Sequence, residues 1–125
     1  MFGNSFLMEG KALDYLWKKQ EVILNNISNV DTPGYKKKQV RFVEEFKNRL
    51  KAASQTHDRS AIRQAIQDSN YQVYTAYDSS ARVDENNVNA DVENVEMART
   101  GLHYQYMLQS VTNDFKRYQS AIKGQ

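Results

Sequence analysis

Cysteine is absent from the 125 residues, which excludes disulfides, thiolate nucleophiles and most zinc sites together and leaves the redox compartment open. Proline occurs once, and the five glycines are scattered, so no glycine-rich phosphate loop is present. No apolar run approaches the roughly 18 to 20 residues that a membrane-spanning helix needs. The opening stretch MFGNSFLMEGKALDYLWKK has no basic segment ahead of an uninterrupted apolar core, so no cleaved secretory signal is expected. Charge of one sign is scarce as well. The net charge is +2, far from the basic excess of a typical nucleic-acid binder. It is unevenly spread, with ten Lys and Arg against six Asp and Glu in residues 1–51 and seven against nine in the rest.

What remains is one domain's length of chain with a modest core. Hydrophobic residues make up 40% and charged residues 26%, while the mean hydropathy is −0.78. Apolar side chains must therefore form stripes along polar elements, which suits elongated helices.

Leu13, Leu16, Trp17, Ile23, Leu24 and Ile27 recur at helical spacing, with Gln20 in the gap of the stripe, and predict a helix from about Glu9 to Asn29. The helix is expected to end near Asn29, because Asn tolerates the left-handed conformation of a helix C-cap and Pro33 disfavours a helical Thr32. Pro33 and Gly34 read as the central pair of a type II turn. Val40 and Phe42 then alternate with polar residues as a short extended segment, before a second helix carrying Val43, Phe46, Leu50 and Ala53. Residues 54–60 read as a polar loop, AIRQAIQ as two helical turns, and 71–77 as one strand of a small sheet. Asp91 is expected to cap the last helix, with Glu93 favourably placed at its positive end.

That last helix carries Met97, Gly101, Tyr104, Leu108, Val111, Phe115, Tyr118 and Ile122, spaced alternately by four and three. This is an unbroken heptad pattern and predicts a coiled-coil seam. Val88, Val92, Val95, Leu102 and Tyr106 form a second stripe on another face, so more than one partner surface is implied. The fold class is mainly α: long terminal helices pack as a coiled-coil-like pair, and a shorter middle segment contains a small β element.

No catalytic constellation survives inspection. His57 and Asp58 sit in a polar loop, and His103 lies between the two stripes, without the acidic or histidine neighbours that a metal or acid–base site requires. Lys36, Lys37, Lys38 and Arg41 beside Tyr35 form a minimal basic patch, too small for the phosphate contacts of nucleic-acid binding and suited to guarding an exposed strand. Amphipathic helices at both ends of the chain instead read as an interaction protein.

The stretch LNNISNVDTPGYKKKQVRF resembles the N-terminal signature of the bacterial flagellar axial proteins, those of the rod, hook and hook-associated segments. Its Asn25, Asn26, Asn29, Asp31, Thr32, Pro33, Gly34 and Tyr35 carry the family's helix end and turn. DENNVNADVENVEMARTGLHYQYMLQSVTNDFKRYQSAI is similar to the short proximal rod subunits, matching at Asp84, Asn86, Asn87, Val88, Tyr104 and Gln105; Glu85 stands where the family usually has Gly, Asn89 for Asp, and Ser28 for Ala. The resemblance implies a non-enzymatic subunit of the rod that polymerises helically and transmits torque from motor to hook. It implies export by the flagellar type III apparatus and a periplasmic position in the basal body. Expected partners are further copies, other rod proteins, the basal adaptor FliE and the MS ring or export gate; no cofactor, metal, nucleic acid or small substrate is implied. Residues 1–30 and 88–125 would form the inner helical domain and 31–87 an outer segment. Subunit packing would fall to Leu13, Leu16, Trp17, Ile23, Leu24 and Ile27 of the first helix and Tyr104, Leu108, Val111, Phe115, Tyr118 and Ile122 of the last. The rival readings are a small helical nucleic-acid-binding module and an export chaperone.

Overall fold

A computed structural model describes residues 2–42, 48, 51, 52, 55, 57–77 and 85–124. Its elements run α1 (Phe2–Ser28), β1 (Lys38–Phe42), α2 (Arg59–Gln67), β2 (Tyr71–Thr75) and α3 (Ala90–Ile122). The two long helices form an antiparallel hairpin. Near its open end Phe6 meets Tyr118 edge-on at 6.3 Å, Trp17 lies 6.0 Å from Tyr104 in the middle, and Lys19 pairs with Glu96 at 3.7 Å nearer the root.

The core sits at the root. Leu16, Val22 and Ile23 of α1, Val40 of β1, Ala65 and Ile66 of α2, and Ala76 and Val88 of the connecting segments are buried. Each larger aliphatic side chain among them stabilises the fold by about 1.5 to 3 kcal/mol. Along α3 the buried residues are Glu93 and Thr100, both near its start, so the remainder of α3 rests on α1 with no buried apolar core of its own. The sheet is antiparallel with Val40 opposite Val73. On its exposed face the Arg41 guanidinium stacks 4.5 Å from the Tyr74 ring, whose hydroxyl donates to Gln39 Oε1 at 2.7 Å.

The Pro33–Gly34 turn forms as expected: Gly34 has φ +73° and Tyr35 N–H donates to Thr32 O at 3.2 Å. Five expectations need correction. Helix α1 begins at Phe2, seven residues before Glu9, because packing of Phe6 on Tyr118 outweighs the low helix propensity of its glycines. Asn29 is not left-handed; the helix ends by tightening, with Asn29 N–H donating to Asn26 O at 3.1 Å and Val30 N–H to Ile27 O at 3.2 Å. The cap of α3 is Asn89, whose side chain accepts from Asp91 N–H and Val92 N–H, leaving Asp91 in the first turn. Helix α2 starts at Arg59, inside the expected loop, because Asp58 accepts from Ser60 N–H at 2.9 Å and caps it. Strand β2 stops at Thr75 and finds its partner in the extended segment after the turn. The expected helix of Val43, Phe46, Leu50 and Ala53 lies outside the described residues.

Candidate functional site

Helical spacing puts Asn26 three residues after Ile23 and four after Val22, on the buried face of α1. Its side chain is 1% exposed and pairs with the peptide group of Lys38, as a neighbouring strand would. Asn26 Nδ2 donates to Lys38 O at 2.8 Å and Oδ1 accepts from Lys38 N–H at 2.9 Å. The same carboxamide also donates to Glu93 Oε2 at 3.2 Å and accepts from the Tyr35 hydroxyl at 3.2 Å. Both amide hydrogens and both oxygen lone pairs are thereby used.

Asn86, fully buried, holds the chain just beyond α1. Its Nδ2 donates to Asn29 O at 2.8 Å, Thr32 O at 2.8 Å and Val30 O at 3.1 Å, and its Oδ1 accepts from Val88 N–H at 2.7 Å. These carbonyls follow the helix end, where backbone acceptors have lost their intrahelical partners. Asn87 completes the sheet ladder. Ala76 N–H reaches Lys37 O at 2.9 Å, and the other half of that rung is made by Asn87, which accepts from Lys37 N–H at 2.6 Å and donates to Ala76 O at 2.7 Å. Lys36 Nζ donates to Glu85 O, and Glu85 itself has φ +63°.

Three asparagines thus clasp helix end, turn, sheet and the start of α3. Glu93, 6% exposed, lies near the positive end of α3 and accepts from Asn26. Burial pushes the Tyr35 phenol up; its bond with Asn25 pulls the other way, and the Glu93 charge adds to the rise. Burial likewise raises Tyr15, with Tyr74 and Glu96 adding to it, and the Tyr15 hydroxyl donates to Val40 O at 3.4 Å. At the open end of the hairpin Glu9 is raised to about 7, first by burial and then by its hydrogen bond with Asp114 and that residue's charge, against the lowering effect of Ser110.

The expected packing residues divide. Leu16 and Ile23 are buried, Leu13, Ile27, Tyr104 and Val111 half-buried, and Trp17, Leu24, Leu108, Phe115, Tyr118 and Ile122 exposed. Of the turn motif, Asn25, Asn26, Asn29, Thr32 and Tyr35 are joined by hydrogen bonds in or beside the clasp, whereas Asp31, Pro33 and Gly34 face outward. Val88 belongs to the core. Val92, Val95, Leu102 and Tyr106 lie exposed on the side of α3 away from the heptad seam, about 180° around the helix at roughly 100° per residue.

Sequence reasoning missed the joint role of Asn86 and Asn87, the burial of Glu93 and Thr100, and Val22 in the core. The register of Val22 and Asn26 with Ile23 was the available clue; nothing in the chain marks Glu93 as buried. Among the described residues no group of three or more His, Cys, Asp or Glu gathers as for a metal, and no helix is long and apolar enough to cross a membrane.

The family of flagella basal body rod proteins matches residues 10–36, the stretch of α1 and turn that the clasp closes upon. Among individual relatives, the flagellar basal body rod protein FlgB of Bacillus subtilis (strain 168) is 34% identical over 109 residues, covering 85% of this chain and 83% of that one. FlgB of Buchnera aphidicola subsp. Baizongia pistaciae is 28% identical over 97% of this chain and 96% of its own. FlgB of Escherichia coli (strain K12) is 25% identical over 91% and 89%. With one relative above 30% identity over most of both chains, and the family match lying on the clasped turn, this chain belongs to the FlgB family of flagellar basal body rod proteins.

Proposed function

We propose that the chain is a structural subunit of the proximal part of the rod, polymerising helically and carrying torque from motor to hook without catalysing a reaction. The observation that carries this reading is the pair of apolar faces on opposite sides of α3. One helix, α1, cannot cover both, and Leu102 and Tyr106 remain 68% and 76% exposed. Two different faces on one subunit make heterologous contacts, and such contacts extend into an open helical array when the rotation does not close.

On this reading the hairpin, residues 1–30 and 88–125, forms the inner layer, and 31–87 lies outside it, held by the clasp at a fixed angle. Exposed Trp17, Leu24, Leu108, Phe115, Tyr118 and Ile122 then become subunit contacts. Neighbours are further copies and other rod proteins, with FliE and the MS ring or export gate at the base. The site of assembly is the periplasmic part of the basal body, reached through the flagellar type III apparatus without cleavage. The basic run acts as bracing, with Lys36 held by the Glu85 carbonyl and Arg41 stacked on Tyr74.

Mass spectrometry of basal bodies purified from cells expressing the tagged chain tests the assignment. The chain is expected in the rod fraction, and its deletion is expected to leave cells without rod or hook. Motile deletion cells, or basal bodies free of the chain, would sink the reading.

A further inference from the structure

We propose that the outer edge of β2 is a strand-pairing surface whose partner is β2 of a second copy, the two strands running antiparallel across a two-fold axis. Such pairing is independent of the rod reading and uses a face of the molecule which that reading leaves unoccupied.

The ladder of the sheet decides which backbone groups are free to pair. Ala76 N–H bonds to Lys37 O at 2.9 Å, and hydrogen-bonded and non-bonded pairs alternate along an antiparallel ladder. With Lys38 opposite Thr75 and Val40 opposite Val73, the peptide groups of Gln39, Arg41, Gln72 and Tyr74 bond within the sheet. Those of Lys38, Val40, Val73 and Thr75 point away from it. On β1 the outward side faces α1: Asn26 pairs with Lys38 N–H and O, and the Tyr15 hydroxyl donates to Val40 O. On β2 the outward side is open. Among the described residues β1 is the only strand that pairs with β2, no helix packs closely along it, and neither Val73 nor Thr75 makes a further backbone bond. The two edges differ in composition as well. Strand β1 carries Lys38 and Arg41, with Lys36 and Lys37 just ahead of it, whereas residues 69–77, SNYQVYTAY, contain no charge and no proline. Charged side chains and proline are the usual guards of a strand edge, so the covered strand is the guarded one and the open edge has no guard.

The chemistry of that edge specifies its occupant. A row of N–H and C=O groups is satisfied by another extended backbone. Strand β1 of another copy has its outer side against its own α1, so of the two described strands only β2 has an edge to offer. The outward groups of Val73 lie mid-strand and set the register, with Val73 facing Val73 and Tyr71 facing Thr75 on either side. That register places a β-branched residue, 38% exposed in the single copy, against its twin, sets Gln72 beside Tyr74, and brings no like charges together. The product is a four-stranded sheet in the order β1, β2, β2, β1. Being isologous, the contact closes after two copies and leaves the outward stripe of α3 free. Five-residue strands bury well under the roughly 1,600 Å² of a standard interface, so the pair is weak, with a Kd on the order of 100 μM.

The test uses the purified full chain at concentrations spanning about tenfold either side of that value. Sedimentation equilibrium should give a mass rising from 14.5 kDa toward twice that figure, and the Val73 and Thr75 amides should exchange more slowly as concentration rises. Val73→Pro removes the central outward donor, which makes no bond in the single copy, and Val73→Lys sets two ammonium groups opposite each other. Both are expected to keep the circular dichroism of the parent and to weaken pairing by roughly tenfold or more; Val73→Lys carries the comparison if the proline variant unfolds. Because the chain contains no cysteine, single cysteines report the register. Opposed Cα atoms at about 5.5 Å are within disulfide reach, so mild oxidation should link two Val73→Cys copies. Gln72→Cys lies about 8 Å from its twin in this register, beyond that reach, and should link far more slowly. A chain that stays single at every concentration, self-association that survives Val73→Lys unchanged, or equal linking at residues 72 and 73 would each overturn the strand pair.

Discussion

At the root of the hairpin, the carboxamides of Asn26, Asn86 and Asn87 bond to backbone groups of the helix end, the turn and the sheet. At the far end, the same two helices meet through Glu9 and Asp114 and through the Phe6 and Tyr118 rings, with Phe115 left half-exposed. A satisfied buried polar network has one geometry, because any other arrangement strands its donors and acceptors in a medium of low dielectric. Apolar contacts between partly wet side chains tolerate sliding and exchange of partners. The root therefore fixes an angle, and the far end keeps surfaces that a neighbouring subunit can take over.

The largest expected effect comes from cutting the network. Asn86→Ala removes the side-chain partner of the Val30 carbonyl and of the Val88 N–H at a fully buried site, while Asn29 O and Thr32 O keep the Thr32 and Tyr35 N–H donors, and should destabilise the isolated chain by on the order of 3 to 5 kcal/mol. Phe115→Ala at the far end should cost under about 1 kcal/mol. Urea titration of both variants compares them directly, and equal losses would erase the distinction between the two ends.

Next in size is the turn. Gly34 has φ +73° and open space around it, so Gly34→Val should cost about 1 to 3 kcal/mol through backbone strain alone, with Gly34→Asn milder. Equal stability of the two variants in the same titration would show that backbone conformation is not the cause.

A smaller effect is expected from Glu9, where partial solvent exposure screens the interaction. Its carboxyl is raised in the folded chain from 4.5 to about 7, so between those values the folded state holds more protons than the unfolded state, and stability falls as pH rises through this window. Glu9→Gln removes that slope. Its thermal midpoint should match the parent near pH 4 and exceed it increasingly up to about pH 7, levelling above; a constant difference across pH would show that Glu9 and Asp114 are not coupled across the hairpin.

The smallest expected change is a gain at the root. Glu85 has φ +63°, a conformation that disfavours any residue with a Cβ, and Glu85→Gly should stabilise the chain by about 1 kcal/mol or less once the added freedom of the unfolded glycine is counted. A loss on calorimetry would mean that the Glu85 side chain supports the clasp.

Much of this was legible in the residues. Spacing of three and four located both long helices, Thr-Pro-Gly the turn, and Tyr71, Val73 and Thr75 a strand, because each is a local pattern. The departures from the family pattern also became intelligible: Asn89 replaces Asp as an equally good helix cap, and Glu85 occupies a left-handed position suited to Gly. The clasp was not legible as a unit. Asn25, Asn26 and Asn29 look alike in sequence, and only the burial of one of them and its meeting with segments 12 and 67 residues away set them apart. The gap in the packing stripe at Gln20 was visible, but its opposition to Thr100 and Gly101 depended on the register of two helices far apart in the chain.

Reliance on asparagine also exposes the protein to chemical ageing, since asparagine is among the residues that heat degrades. Deamidation at Asn86 would exchange one NH₂ for oxygen and turn a donor to three carbonyls into a carboxylate facing them. That reaction begins when the following backbone nitrogen attacks the side-chain carbonyl. Here the nitrogen belongs to Asn87 and is held by Tyr35 O at 3.3 Å, while the Asn86 carboxamide is sealed from water. The contacts that set the angle of the turn are thus also the ones that slow the clasp's own decay, and a transient opening at the root would start both failures together.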